Sequence, residues 1–372
     1  MFPLAFTVAL AAAFVSLGLF DDKIPVVMGL VILTVLCFLL PELGLALFML
    51  SGRFNLPFPE EIYVGPEIMT ELSLLLVAPL TLVGLFRFIN SAEKPRILWL
   101  FVPFALLGLL VFFKGAGLSE YAYTADKVMR FWLVTLPGIF AALCIVRDED
   151  SLRRFLWSIF AVGLAIGILS LRSLLKAHEI LRVSALGGCP IQFARDLGPS
   201  FLVALMFLPR SRFKPFLTGT MAFTGLSLLA SGSRAPGMSL IVTTLFLFLA
   251  YCWRMRMGLK KLAVVYLATP LLFYLMMNFF NILSALPFAA TKRYLMMAKG
   301  IEVAGASRTI LWEAAWSGFK INPWGWGTGS FAVMSSLSLY PHNFFLEIAM
   351  ELGLVGLAVA LLVVLWAGFV SL

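Results

Sequence analysis

Few residues in this sequence are of types that could do chemistry, and what is missing narrows the choice. There are two histidines, His178 and His342, too few for a zinc site built on several of them. The four cysteines, Cys37, Cys144, Cys189 and Cys252, form no CxxC pair. They sit in or beside apolar runs, which reads as packing and not as a disulfide or metal framework. No GxxxxGK[ST] loop is present, so ATP is not an evident driver. The cluster Gly325-Trp326-Gly327-Thr328-Gly329 follows no strand and is no dinucleotide fingerprint. Asp21-Asp22, beside Lys23, reads as turn solvation ahead of a metal pair. His342 is the remaining candidate for proton transfer. It lies in Tyr340-Pro341-His342-Asn343, directly before an apolar run that Asn343 can cap as a helix. The positive end of a helix dipole favours the neutral imidazole, which can accept a proton. The alternative is a histidine that only caps or packs.

Glu347 and Glu351 are four apart and share one face of that helix. They are either part of a site or plain compensation of the helix dipole. Three arginines stand near turns: Arg195 after Gly187-Gly188-Cys189-Pro190, Arg234 in Ser231-Gly232-Ser233-Arg234, and Arg308 in a long loop. Guanidinium groups suit bidentate contact with phosphate oxygens, so together they could hold a pyrophosphate. Singly, Arg195 could pair with Asp196, and Arg234 and Arg308 could snorkel. The segment from Asn322 to Phe331, with Gly327 at its centre, reads as a tight turn. Its amides could form an anion nest and its tryptophans could stack on a sugar; otherwise it is a folded-back loop with buried aromatics. Gly353 and Gly356 read as close helix packing.

The elements that must position these residues are membrane spans. Of 372 residues 62% are hydrophobic and only 13% charged, with a mean hydropathy of +1.01. Such a composition excludes a soluble globular protein, a disordered chain and a disulfide scaffold. The expected fold is all-α and polytopic, with about 12 transmembrane helices. The apolar runs fall at 2–20, 24–38, 41–51, 70–87, 97–113, 127–146, 155–175, 189–208, 215–230, 236–251, 262–286 and 344–370. Residues 24–50 could also be one span broken near Pro41-Glu42. With no basic n-region, the first run reads as a retained span and not a cleaved signal peptide. Leu372 ends the sequence with no basic tail, which leaves room for a longer natural chain.

Alternate loops are short and dense in Lys and Arg: Arg87, Lys94, Arg96; Arg147, Arg153, Arg154; Arg210, Arg212, Lys214; Arg254, Arg256, Lys260, Lys261. The positive-inside rule makes these cytoplasmic. The net charge of +9 is thus explained by topology and anionic lipid, not by nucleic acid. The organisation expected is helices over 1–286, an outer loop over 287–343 that carries site residues, and a last span over 344–372. Within the loop, 307–316 reads as a short amphipathic helix with Ser307 as its cap.

At this point the sequence resembles the O-antigen ligase family, whose C-terminal domain is shared with O-antigen polymerases and bacterial protein O-glycan ligases. The family signature of His-Asn, nine residues, Gly, two residues, Gly is met by His342, Asn343, Gly353 and Gly356. Arg308 with Trp312, the Asn322-Pro323…Ser330-Phe331 segment, Phe193-Ala194-Arg195 and the turn before Arg234 are also similar to it. The resemblance covers roughly residues 185–360. It implies a metal-independent, inverting glycosyltransferase without cofactor in the bacterial inner membrane, with a periplasmic site. The donor would be a glycan on undecaprenyl pyrophosphate and the acceptor, in the ligase branch, the lipid A core. The polymerase and protein-glycan branches differ in acceptor only; a flippase of the same donor is a more distant alternative. On this resemblance His342 is the base, Arg195 and Arg308 bind the pyrophosphate with Arg234 helping, and Asn343, Glu347, Asn322 and Gly327 support them.

Overall fold

A computed structural model of the chain describes residues 34–50, 72–115, 122–175, 183–184, 189–254, 303–335 and 338–371. The runs at 2–20 and 262–286, most of 24–38, Asp21-Asp22, His178 and the side chain of Cys252 lie outside the described residues. Among those described there is no strand. Four helices among the described residues are long and apolar enough to cross a membrane: Lys94–Gly115, Tyr123–Ile145, Glu149–Leu169 and Phe344–Trp366. Together they make this a multi-pass membrane protein. Large side chains such as Phe86, Trp99, Phe113, Leu365 and Trp366 face outward. That suits a lipid surround and would be costly in water.

The chain divides into two compact units. One comprises residues 33–48, 60–151 and 302–372. Residues 34–39 are helical, and after Leu40 helix α1 (Pro41–Leu50) begins, so the run does break at Pro41. Helices α2 (Leu72–Ile89) and α3 (Lys94–Gly115) follow. The next span starts earlier than its apolar run: α4 (Ala122–Arg130) passes through a π-turn at Phe131–Thr135 into α5 (Leu136–Ile145). Small residues let these helices close. A Cβ on Gly84 of α2 would stand 3.1 Å from the Ala141 backbone of α5. Arg87 ends α2, and its guanidinium donates to the Ile145 carbonyl (3.0 Å), satisfying an orphan group at the end of α5. Its other neighbour is the buried Glu42, at 3.6 Å. Leu107 and Val111 of α3 share a core with Ile348, Leu352 and Ala360 of the last helix, with Val128 and Phe131 packed on it.

The other unit comprises residues 1–32, 49–59 and 152–301. It holds most of α6 (Glu149–Leu169), then α7 (Leu171–Leu175), α8 (Pro190–Phe207), α9 (Lys214–Ala230) and α10 (Arg234–Arg254). Here the helices meet through hydroxyls and rings. Ser200 donates to the Phe160 carbonyl (2.9 Å), and Trp157 stacks on Phe207 with centroids 4.7 Å apart. Of the cysteines, Cys37 and Cys144 are buried as packing residues. Cys189 is exposed, because it occupies the cap position ahead of α8 and not its packed face.

Candidate active site

The site candidates fall in both units, and each is built differently. In the first unit, α11 (Val303–Ile321) is longer than the short helix expected at 307–316. Ser307 lies inside it, one turn after its start, and not at the cap position. Leu311, Ala315 and Phe319 form its buried stripe. Trp312, Trp316 and Ile310 are exposed. Arg308 is exposed one turn before Leu311, where that stripe runs on toward the helix start.

After α11 the chain turns sharply. Asn322 builds the turn: its side-chain oxygen accepts from the Trp324 amide (3.3 Å) and its NH2 donates to the Gly325 carbonyl (3.1 Å). The chain then runs against the last helix, α13 (Phe344–Ser371), which is not continuous. At Gly353 φ is 73° and ψ is −164°, so the span breaks into 344–352 and 354–371. This corrects the reading of Gly353 as a packing residue between intact helices: its own backbone leaves the helix, and a Cβ there would run into the Trp324 carbonyl. Gly356 lies one turn on, where a Cβ would strike the Leu352 side chain across the kink.

A broken helix inside a membrane protein must have its freed groups satisfied by protein. Here the Trp326 amide donates to the Met350 carbonyl (3.0 Å) and the Gly327 amide to the Glu351 carbonyl (2.9 Å). Leu354 returns its amide to the Pro323 carbonyl (2.9 Å). Gly325 allows the approach, with φ 87° and only 2.5 Å between a would-be Cβ and the Glu351 carbonyl oxygen. The loop is also held by α3, where Lys114 donates to the Trp324 carbonyl (2.7 Å) and Thr328 to the Val111 carbonyl (2.8 Å). The amides of Trp326, Gly327 and Thr328 are therefore already engaged. Of the two readings, the anion nest is not formed by them; the segment is a folded-back loop, in which Gly327 and Asn322 shape backbone. Trp326 points its indole N–H at the Gly318 carbonyl (2.8 Å), while Trp324 is exposed.

A short helix α12 (Ser330–Met334) leads on, and residues 338–343 bring the chain to α13. His342 is exposed, has φ 56°, and sets its ring edge-on to Tyr340 with centroids 4.4 Å apart. Asn343 is the expected cap: its side-chain oxygen accepts from the amides of Phe345 (3.1 Å) and Leu346 (3.2 Å). Leu346 and Met350 share an apolar cluster with Leu311, Ala315 and Phe331, and Met350 lies against Gly318. That cluster runs from Gly318 and Met350 back toward the starts of both helices, the ends at which Arg308 and His342 stand.

Sequence reasoning missed Lys127. On α4, it donates to Glu347 (2.5 Å) and Glu351 (2.6 Å) at once. Glu351 is only 3% exposed, Glu347 20% and Lys127 27%, so water screens this triad little. Beside it, Thr124 Oγ1, Ser330 Oγ and Glu351 Oε1 are buried without a hydrogen-bond partner among the described residues. A lone lysine at the head of an apolar run, set against two acids spaced by one turn, was the signal available.

In the second unit, Arg195 is exposed on α8, and its neighbour Asp196 is buried. Asp196 accepts from Gln192 (3.0 Å), and no ion pair with Arg195 is present among the described residues. Arg234 is the first residue of α10, after a turn in which Ser233 donates to the Pro190 carbonyl (3.0 Å). The starts of α8 and α10 are thereby tied together, which brings the backbones of those two arginine segments into one region.

The fold and these turns define a helical membrane protein with a broken last span clasped by a polar loop. Residues 219–361 match the Wzy_C family model, described as O-Antigen ligase, the family that the signature at His342 resembles. Arg234, Arg308 and His342 lie within the matched segment; Arg195 precedes it. No curated protein and no solved structure matches the chain.

Proposed function

We propose that this protein transfers a glycan from undecaprenyl pyrophosphate to an acceptor hydroxyl at the periplasmic face of the inner membrane, with the lipid A core as acceptor. The observation that carries the reading is His342: an exposed imidazole in a left-handed turn, immediately before a capped helix, within the O-antigen ligase segment. In the proposed step His342 takes the acceptor proton as the acceptor oxygen bonds to the anomeric carbon. The bond from that carbon to the phosphate oxygen breaks, and the undecaprenyl pyrophosphate leaves with the electron pair. One displacement inverts the anomeric centre. The leaving group supplies the driving force, so neither nucleotide nor metal is required. Arg308 is the proposed pyrophosphate contact from the first unit; Arg195, helped by Arg234, is the proposal from the second.

The test is transfer by purified protein in lipid nanodiscs, with lipid-linked glycan, lipid A core and a chelator. His342→Ala and His342→Gln should bind donor but lose about 10²–10⁴-fold in rate, the usual cost of removing a general base. A Gln variant near the wild-type rate would make the histidine a cap. Orientation is tested separately on a cysteine-free background. Ser317→Cys on α11 should react with an impermeant thiol reagent from the periplasm, and Ala92→Cys, in the turn between α2 and α3, should not. The opposite pattern would overturn the assigned sidedness.

A further inference from the structure

His342 is the one non-glycine residue among those described with a left-handed backbone. Such a conformation persists only where neighbours over-determine it. The buried Pro341, the ring of Tyr340 and the cap at Asn343 fix it to the start of half-helix 344–352. They do not fix the half-helix to its surroundings. Two devices do. The loop bonds at Met350, Glu351 and Leu354 hold its far end. Lys127 holds its first turn, through Glu347, whose amide donates to the Asn343 carbonyl (2.9 Å). Lys127 also reaches Glu351, one turn along, so one ammonium spans the whole half-helix. Arg130, the other cation at this end of α4, is paired to Asp126 (2.7 Å). Thr124, one turn earlier on α4, lies against Gly329 of the loop. A single short helix thus braces both the half-helix and the loop that clasps it.

We propose that Lys127 is a positioning residue for transfer: through Glu347 and Glu351 it sets the placement of the His342–Asn343 turn, without itself touching substrate. This rests on the reading of His342 as the base. The competing account is a buried ion triad that only stabilises the fold. The two separate in a series of Lys127→Arg, Lys127→Met and the triple variant K127M/E347Q/E351Q, with thermal midpoint, donor KM and kcat measured in nanodiscs. Lys127→Arg renews both pairs and should keep most of the rate. Lys127→Met strands two carboxylates and should lower both midpoint and kcat. The triple variant removes every charge with groups of similar size, so its midpoint should recover. Its kcat should stay about ten- to a hundredfold down at unchanged donor KM, the scale on which small misplacements act.

A triple variant with wild-type midpoint and wild-type kcat overturns the proposal, as does a kcat that merely follows the midpoint. Should the triple variant not fold, Lys127→Arg and Lys127→Met decide, compared per monodisperse molecule. Equal kcat in the two overturns it; a much lower kcat in Met at equal KM supports it. His342→Gln is run alongside. A slow triple variant beside an active His342→Gln removes the base and keeps the coupling. A fast triple variant beside an inactive His342→Gln does the reverse.

Discussion

The half-helix 344–352 and helix α8 each bury one carboxylate, and the two are handled in different ways. Glu351 is met by Lys127 from another helix, at a place where the backbone leaves the helix and a loop completes it. Asp196 is met by Gln192 from its own helix, one turn back, in a helix with no positive-φ residue. The first arrangement ties three separate pieces of chain into one geometry. The second is local and asks nothing of its neighbours. The difference lies in how each carboxylate is tied: the one on the helix that His342 precedes is held across the fold, the one beside Arg195 within its own helix.

The largest effect that would break this comparison is at Gly353. Gly353→Ala forces a side chain into a left-handed position, a cost of about 1–3 kcal/mol before any overlap with the Trp324 carbonyl is counted. Little monodisperse protein should be recovered on size exclusion. Gly219→Ala, in α9 of the other unit where a Cβ meets nothing within 4 Å, is the control. It should be neutral, or stabilise by roughly 0.4–1 kcal/mol as a helical Gly→Ala can. Similar thermal midpoints for the two variants would remove the asymmetry.

Next come the arginines. Arg308→Ala and Arg195→Ala should each lower donor use strongly at normal protein levels, by roughly 2–5 kcal/mol for a desolvated charged contact. Lysine should restore only part, because it lacks the planar fork. If one alanine variant keeps wild-type donor affinity and turnover, that arginine is not a pyrophosphate contact, which sharpens the comparison. Smallest is Asn343→Ala. Loss of the cap should cost about 1 kcal/mol. It should be seen as faster hydrogen exchange at Phe345 and Leu346, and unchanged exchange there would deny the cap its role.

Much of this was legible in the sequence. Hydropathy located the apolar helices among the described residues but neither the full length of α11 nor α12, and Pro41 marked a true break, because both signals are local. Asn343 was legible as a cap because a capping side chain bonds within three residues of itself. The glycines at 325 and 353 were visible, but not their purpose. A Gly in an apolar run reads equally as packing or as a break, and only the loop docked against it decides. The same holds for Gly327, whose amide looked available for an anion until its partner, the Glu351 carbonyl, was located. Lys127 was missed because its partners lie more than two hundred positions away, beyond the reach of any spacing rule. The left-handed turn at His342 carries only a weak residue signal, since histidine is enriched at positive φ among non-glycine residues yet mostly adopts other conformations.

The break at Gly353 also bears on how the chain is made. Unless residues 323–327, made just before it, are docked against it, the span at 344–371 carries carbonyls that lipid cannot satisfy, each costing several kcal/mol in hydrocarbon. The pieces that receive the loop, Val111, Lys114 and Thr124, are synthesised roughly two hundred residues earlier, so the ribosome has delivered the cradle long before the strap. Loop and span emerge one after the other, separated by a few turns of chain. Biogenesis therefore favours their entering the membrane as one unit, docked onto helices already in place, with a lone final span the least tolerable intermediate.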